Sequence, residues 1–522
     1  MVDTSKQSSA RGHGVAVSGV MLVIFLFAVD GTVVSAAMPT IVGKVGGLEL
    51  YSWVFSAYML TSALSTPLFG NLSDLYGCRR LMLVGIALFT LGSALCGAAQ
   101  TIEELIVFRA IQGVGGGAIY ALSFILIGFL YPPEERARMQ ALISGVWGIA
   151  SILGPLAGGV ITQYWNWRWI FFINLPICLA AALLIGFGVS EIQAESRRRL
   201  DLKGATTLLI GLSLLFYALE EGRRNSFALD WPLAVLLVSA AGALALLYRI
   251  ERRAEEPILP PALFRLRLFR ICAGLAWLSS MGMFGVITYL PLYVQGALDG
   301  GASQASLTLV LASLGWTAGS FVAGPGMNRF GYRAVAVAGM LLMALGYGAF
   351  AGVGYQLGLF AVLAVGAVIG VGMGIVSVTS MVAAQNGAPL NQLGAATSTV
   401  MLSRMFGGAF GITLMGSVLV GQMQRRLTTL STGPGAGLSS SLIQKLANPE
   451  SLLEPSIRAS IPEPLVAALV EILARSVWSA FLTGFFVMLL GVALSFFLSA
   501  GSPVEARELS DEEEIRRNRR AQ

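Results

Sequence analysis

A carboxylate and a guanidinium, Asp30 and Arg109, lie deep inside apolar stretches of this sequence of 522 residues. Asp30 is the only one of the 28 acidic residues in such a position, and Arg109 lies within another apolar stretch. An ionisable residue in these surroundings costs a few kcal/mol and is by default functional. A carboxylate that gains and loses a proton beside a guanidinium is the chemistry of a proton relay, and Asp30 with Arg109 is the predicted pair.

The depths of the two residues are compatible with a contact. At 1.5 Å per helical residue, Asp30 lies about 4–5 Å and Arg109 about 9 Å outward of the centre of its stretch. An arginine side chain spans that difference if the two helices are neighbours. A static structural ion pair is the alternative interpretation, although such a pair can often be replaced by apolar packing.

The elements that position these residues follow from composition. Hydrophobic residues make up 56% of the chain, charged residues 12%, and the mean hydropathy is +0.75. Soluble domains carry about twice that charged fraction, so a soluble enzyme, a nucleic-acid-binding domain and a disordered chain are excluded. A membrane span needs about 20 apolar residues. Fourteen runs are predicted to be spans: 15–38, 52–71, 81–99, 104–129, 140–161, 169–189, 203–220, 232–249, 271–294, 304–326, 334–353, 357–382, 394–420 and 474–499.

Fourteen spans put both termini on one side, and the positive charges indicate which. With the N-terminus inside, the inner segments hold 23 of the 34 Lys and Arg residues and the opposite side nine, while Arg109 and Arg404 lie within spans. Five of those nine lie in or just after the long segment 421–473, and long loops are exempt from the positive-inside rule. Cytoplasmic termini are therefore predicted, and the inner excess explains the basic sequence without nucleic acid.

The chain repeats one pattern in its two parts. Gly70-x3-Asp74-x2-Gly77-x-Arg79 follows the second span, and Gly324-x3-Asn328-x2-Gly331-x-Arg333 follows the tenth, 254 residues later. Two parallel halves are a known transporter architecture. The predicted organisation is an N-terminal tail (1–14), a six-helix bundle (15–189), linkers with an inserted seventh and eighth helix (190–270), a second bundle (271–500) and a charged tail (501–522). Segment 421–473 is predicted to form two short amphipathic helices on the outer face, with a poorly ordered loop as the alternative.

Several motifs together resemble the major facilitator superfamily, specifically its fourteen-helix branch of drug:proton antiporters. The loop from Gly70 to Arg80 is similar to the family's cytoplasmic gating motif, with Cys78 where a basic residue is usual. Arg109-Ala-Ile-Gln112-Gly113-Val-Gly115 is similar to its arginine motif. Its antiporter motif is matched on the fifth span by Gly145, Gly148, Gly154, Pro155, Gly158 and Gly159. The segments 30–39 and 167–176 are typical of the branch. The resemblance covers essentially the whole chain and implies an all-α polytopic membrane protein, with two six-helix bundles of major facilitator type and an inserted helix pair.

The gating and antiporter motifs also have physical interpretations. Asp74 and its second-half counterpart Asn328 are expected to form a latch between the halves, with Gly70, Gly77, Arg79, Arg80 and Arg333. A solvated loop is the alternative. Glycine and proline on the fifth span permit close helix approach and bending, which would serve either tight packing alone or the block of a proton leak.

Mechanism and substrate are predicted less directly. No Gly-x4-Gly-Lys-Ser/Thr phosphate loop is present, so we expect a proton gradient rather than ATP to drive transport, with no cofactor. The single histidine, His13, and four scattered cysteines indicate no metal site. Aromatic and methionine side chains suit varied apolar ligands. Candidate cavity residues are Tyr58, Gln112, Met281, Met283, Phe284, Tyr289 and Tyr293, with plain helix packing as the alternative.

The leading hypothesis is a proton-coupled antiporter in a bacterial inner membrane that exports hydrophobic or cationic drugs. The alternative is an exporter of an endogenous lipid or secondary metabolite, with the outer segment 421–473 docking cargo or a partner. A membrane enzyme would need a catalytic pair inside the membrane, which one deep acid and no intramembrane histidine do not supply. The expected partners are therefore lipid, protons and small hydrophobic or cationic substrates.

Overall fold

The computed structural model describes residues 4–46, 50–189, 201–224, 230–254, 257–354, 357–389, 392–431 and 463–501, with the single positions 446 and 461. These residues form α-helices joined by short turns. Helices suit a chain that crosses lipid, because a helix satisfies its backbone hydrogen bonds internally. The predicted all-α membrane fold is confirmed.

Fifteen helices are described in chain order. They are α1 (Thr4–Val45), α2 (Tyr51–Tyr76), α3 (Cys78–Ala98), α4 (Ile102–Leu130), α5 (Pro133–Tyr164), α6 (Trp169–Phe172), α7 (Asn174–Gly188), α8 (Leu202–Arg224), α9 (Trp231–Glu251), α10 (Pro261–Arg265), α11 (Arg267–Gly296), α12 (Ala302–Val353), α13 (Leu359–Asn386), α14 (Leu393–Ser431) and α15 (Glu463–Ser495).

The helices accommodate the fourteen predicted spans. Within the described residues, eleven helices are long and apolar enough to cross a membrane. Helix α12 counts once among them but consists of two helices that meet at Gly331, where φ is 77°, between the predicted spans 304–326 and 334–353. The predicted spans 52–71 and 203–220 fall in α2 and α8, which are helical although they are not among the eleven. The count of fourteen is compatible with this structure.

Helices α1–α7 pack as an N-terminal bundle and α11–α15 as a C-terminal bundle. The repeated motif makes the same turn in each. Gly77 and Gly331 have φ values of 90° and 77°, a region that favours glycine. Arg79 then donates to the carbonyl of Gly186 at the end of α7, and Arg333 Nε donates over 2.7 Å to the carbonyl of Leu498, just beyond α15. Each arginine thus ties the last helix of its own bundle to the turn.

The inserted helices α8 and α9 pack together, and α8 also lies against α2 and α14. Apolar side chains of α8 form a cluster with Leu64 and Leu68 of the N-terminal bundle and Leu402 of the C-terminal bundle. The Phe216 ring lies 4.9 Å from that of Phe406. The inserted pair therefore covers the seam where α2 meets α14.

The outer segment differs from the sequence prediction at both ends. Helix α14 does not end near residue 420 but continues to Ser431, and α15 begins at Glu463 rather than near residue 474. Polar residues lowered the hydropathy there without ending the helices, because a helix that leaves the bilayer can continue in water. Most of the predicted amphipathic region between them lies outside the described residues.

Candidate functional site

Asp30 lies on α1 in the interior of the N-terminal bundle, with 3% of its surface exposed. Its Oδ2 accepts a 2.6 Å hydrogen bond from Arg109 Nη1. Its Oδ1 accepts one of 2.8 Å from Gln112 Nε2 and one of 3.3 Å from Asn174 Nδ2. The carboxylate thus has three donors from α4 and α7, which offset the cost of burying its charge.

Further polar groups hold these donors in place. Ser93 Oγ of α3 accepts hydrogen bonds from Gln112 Nε2 over 2.7 Å and from Asn174 Nδ2 over 3.0 Å. Arg109 Nη1 also donates to Gln112 Oε1 over 2.7 Å. The guanidinium carbon lies 4.0 Å from the centre of the Tyr58 ring of α2, a cation–π contact. Five helices, α1, α2, α3, α4 and α7, therefore meet at this cluster.

Glycines let α4 approach its neighbours closely enough to build the cluster. A Cβ atom at Gly92 of α3 would lie 2.5 Å from Gln112 Cα. A Cβ at Gly113 would overlap Thr61, and one at Gly115 would overlap the backbone of Phe89. Any larger residue at these positions would push α2 or α3 away from Arg109 and Gln112.

Asp74 joins the two bundles at the predicted cytoplasmic side. Its Oδ1 accepts a hydrogen bond from the backbone N–H of Gly394 over 2.9 Å, and its Oδ2 accepts one from Ala395 over 3.0 Å. These N–H groups belong to the first turn of α14, where helical donors lack intrahelical partners and negative charge is favoured. A carboxylate of α2 thus caps a helix of the opposite bundle.

The other gating residues divide between the seam and the surface. A Cβ at Gly70 would overlap Ser398 of α14, and one at Gly324 would lie 3.2 Å from the Cβ of Ala137 of α5. Both glycines therefore mark close approaches between the bundles. Asn328 and Arg80 are exposed, so Asn328 does not repeat the part-buried cap made by Asp74.

Further hydrogen bonds close the seam near the same side. Arg136 Nη1 donates to Asn386 Oδ1 over 2.6 Å, and Gln140 Nε2 donates to Gln385 Oε1 over 3.0 Å. Thr317 Oγ1 of α12 donates to the carbonyl of Ser144 over 3.0 Å, about 16 Å along α5 from its first residue. The described hydrogen bonds between the bundles thus extend from the predicted cytoplasmic side to about mid-membrane. The passage expected between the two bundles is therefore closed on that side.

The antiporter-motif residues of α5 face several directions. A Cβ at Gly154 would overlap Thr32 of α1, and one at Gly148 would lie 2.6 Å from Thr317 Oγ1 across the seam. Gly145 makes only ordinary contact with Phe321, and Gly159 faces open space. Gly158 is buried and Pro155 is exposed. Close packing of α5 against α1 and α12 thus accounts for Gly154 and Gly148, which are only part of the motif.

The predicted cavity residues do not form one surface. Gln112 and Tyr58 belong to the Asp30 cluster, whereas the candidates on α11 are packed within the C-terminal bundle. Tyr289 donates to the carbonyl of Ile412 over 2.6 Å, and the fully buried Tyr293 donates to that of Leu357 over 3.2 Å. Met281 and Met283 are buried, and Phe284 lies against Gly408 of α14.

Sequence reasoning missed some members of the site. Ser93 and Cys96 of α3 lie in the cluster, with Cys96 Sγ 3.7 Å from Gln112 Oε1. Asn174 could have been identified from the sequence, because it lies in the segment 167–176 that is typical of the fourteen-helix branch. The four cysteines are free and buried, and the described residues hold no group of three or more His, Cys, Asp or Glu side chains fit for a metal.

Comparison with known proteins agrees with this architecture. The family model of the Major Facilitator Superfamily matches residues 20–412 and 272–510. The chain is 32% identical over 512 residues to the multidrug transporter protein MdtP of Bacillus subtilis, covering 95% of this chain and 94% of that protein. It is 30% identical to multidrug resistance protein 3 of the same organism, covering 95% and 96%.

Solved structures share the fold at low sequence identity. The human organic anion transporter MFSD10 aligns with a TM-score of 0.59 at 17% identity, covering 91% of this chain and 99% of that one. A double-tryptophan mutant of XylE aligns with a TM-score of 0.60 at 15% identity, covering 94% and 98%. The transporter family, rather than an enzyme family, accounts for the whole chain. The two bundles, the repeated turn and these similarities together show that the chain belongs to the major facilitator superfamily.

Proposed function

We propose that this protein is a proton-coupled antiporter that exports hydrophobic small molecules, drugs among them, by alternating access between its two bundles. The observation that carries the proposal is the buried Asp30 carboxylate with its three donors. The similarity to bacterial multidrug transporters supports efflux of drugs. The coupling to protons rests on the chemistry of Asp30 and its neighbours.

The arrangement of donors explains how a proton on Asp30 would change the site. Gln112 and Asn174 both donate to Oδ1, so a proton on the carboxyl group takes Oδ2. Arg109 Nη1 donates to that same oxygen. Protonation therefore removes the negative charge that holds Arg109 and frees it to move towards its remaining contacts, Gln112 Oε1 and the Tyr58 ring.

A path leads from this displacement to the seam. Asp30 and Thr32 are two residues apart on α1, and Thr32 packs against Gly154 and donates to the carbonyl of Ala150 of α5 over 3.4 Å. The same helix α5 bonds to the C-terminal bundle through Gln140 and the carbonyl of Ser144. A shift of α1 relative to α4 is thus transmitted to the helix that closes the passage.

The charge distribution supports the membrane placement. We place the protein in a bacterial inner membrane with both termini in the cytoplasm, because the inner segments hold 23 of the 34 basic residues in that orientation. The seam closed by Asp74 then lies on the cytoplasmic side. The state described here is accordingly closed towards the cytoplasm.

The test is dye uptake into everted membrane vesicles, with ethidium, rhodamine 6G and fluorescein as a panel that spans both signs of charge. Uptake driven by respiration should collapse when an uncoupler dissipates the proton gradient. Asp30→Asn should abolish the uncoupler-sensitive part. Glu103→Gln, which removes an exposed carboxylate at the start of α4, is the matched control and should transport like wild type. Uptake that resists the uncoupler would refute proton coupling.

A further inference from the structure

Arg404 is a second buried arginine, and its surroundings differ from those of Arg109. It lies on α14 with 5% of its surface exposed. Its Nη2 donates to the carbonyl of Ser377 over 3.1 Å, and its buried Nε has no acceptor. Among the described residues, no carboxylate lies within ion-pair distance of Arg404, whereas Arg109 has Asp30. A guanidinium at this depth is costly without a counterion.

The register of α14 shows which way this residue faces. Thr397 lies on the side of α14 that meets the closed seam, since its Oγ1 accepts a 3.1 Å hydrogen bond from Gln385, the residue that contacts Gln140 of the N-terminal bundle. Arg404 is seven residues further along, which returns it to within about 20° of that side and about 10 Å nearer the outer face. Arg404 therefore lies two turns above the closed seam, on the side of α14 that carries Thr397.

The neighbours of Arg404 along α14 agree with this orientation. Leu402 packs in the apolar cluster with α8, and Phe406 contacts Phe216 of α8. These two residues flank Arg404 and turn towards the inserted pair. Arg404, two positions from each, points to the opposite side of the helix.

An aromatic cluster lies at the same level on the N-terminal bundle. Trp147 is seven residues beyond Gln140 on α5, so it too lies two turns above the seam. Its ring is edge-on to Phe27 at 5.9 Å and to Tyr120 at 6.3 Å, and those two rings stack at 5.1 Å. Trp147 is 37% exposed although its ring packs on α1 and α4. Its register puts it within about 20° of Gln140, the residue of α5 that bonds across the seam.

We infer that Arg404 and this aromatic cluster form a subsite for an anionic substrate with a flat apolar body, such as an aromatic carboxylate or sulfonate. The anion supplies the counterion that Arg404 lacks, through charge-assisted hydrogen bonds from the guanidinium. The aromatic body packs on Trp147, Phe27 and Tyr120. A cationic substrate would meet uncompensated positive charge at this position. The inference rests on the proposed export function and names its substrate class.

The test compares two xanthene dyes that share a ring system but differ in charge: anionic fluorescein and cationic rhodamine 6G. Binding to the purified full-length protein is measured by fluorescence anisotropy without a pH gradient. Wild type should bind fluorescein more tightly. Arg404→Gln should raise the Kd of fluorescein by about tenfold or more, as loss of a charge-assisted contact implies, and leave that of rhodamine 6G unchanged or lower. Arg425→Gln, at an exposed position of the same helix, should alter neither.

Two further variants keep the inference testable if Arg404→Gln does not fold. Arg404→Lys keeps the charge and should keep the preference for fluorescein, and Trp147→Leu should weaken both dyes. Equal binding of both dyes to wild type, equal loss of both in Arg404→Gln, or loss of the preference in Arg404→Lys would overturn the subsite. Because binding is measured without a gradient, its failure is distinguishable from a failure of Asp30-dependent transport.

Discussion

Replacing Asp74 with Asn should open the cytoplasmic seam. In the described state, the two carboxylate oxygens accept the backbone N–H groups of Gly394 and Ala395, both buried at the start of α14. Asparagine keeps one acceptor but turns an NH₂ group towards the second N–H. The charge–dipole interaction, about 0.3–1 kcal/mol, is lost, and one buried donor is left unsatisfied at about 1–3 kcal/mol.

These contributions amount to about 1.3 kcal/mol at the lower end, which corresponds to a roughly ninefold fall in the ratio of closed to open seam. Spin labels at Arg138 of α5 and Arg329 of α12, both exposed and on opposite bundles, report that ratio by electron–electron distance measurements. The four native cysteines are buried, so a thiol-reactive spin label should attach to the introduced cysteines at these two positions. Asp74→Asn should shift population from a short to a longer distance and slow transport while dye binding persists.

Asn328→Ala is the matched control, because Asn328 occupies the equivalent repeat position but is exposed. It should leave the distance distribution unchanged. An unchanged distribution in Asp74→Asn, or an equal shift in Asn328→Ala, would refute the asymmetric latch.

Three further outcomes are expected. Gly154→Ala should lower the Tm and slow transport, because the added Cβ would overlap Thr32. Gly159→Ala should be neutral, because a Cβ at that position would face open space. Equal effects of the two substitutions would contradict the packing argument. Cysteines placed between residues 205 and 219 of α8 should label at the same rate with and without a transported dye, since the inserted pair lies outside the two bundles; strong protection at several positions would contradict that placement. Asp30→Asn should lower the Tm because Arg109 stays buried without its counterion, a loss of about 3 kcal/mol or more, and Arg109→Gln in the same chain should restore part of it; an unchanged Tm in Asp30→Asn would argue against the buried pair.

The sequence was informative where a residue type is rare in its surroundings. An acid in the middle of an apolar span stands out, and so does a ten-residue pattern that recurs 254 residues later. Asp30, Arg109 and the two turns at Gly77 and Gly331 were found in this way. The outer ends of α14 and α15 were not found, because hydropathy marks the residues that lie in the bilayer and not the residues at which a helix ends.

Other members of the site carry no such signal. Serine is common in membrane helices, where it usually bonds to its own backbone, so Ser93 could not be distinguished from its neighbours. Arg404 entered the sequence argument only as a charge to be counted. Its importance depends on the absence of a described carboxylate beside it and on the aromatic cluster at the same level of the N-terminal bundle, and both require the packed structure. The expectation of cationic substrates came from sequence resemblance, and Arg404 favours the opposite charge at this level.

Substrate-induced proton release tests the central claim most directly. Purified wild-type protein in weakly buffered solution is mixed, at each of a series of starting pH values, with a dye that everted vesicles accumulate, and the pH change is recorded. If substrate and proton exchange at Asp30, wild type should release up to about one proton per transporter, since linkage makes the two sites reciprocal. Glu103→Gln should do the same, and Asp30→Asn should bind the dye and release none. Release by Asp30→Asn equal to that of wild type would contradict the account.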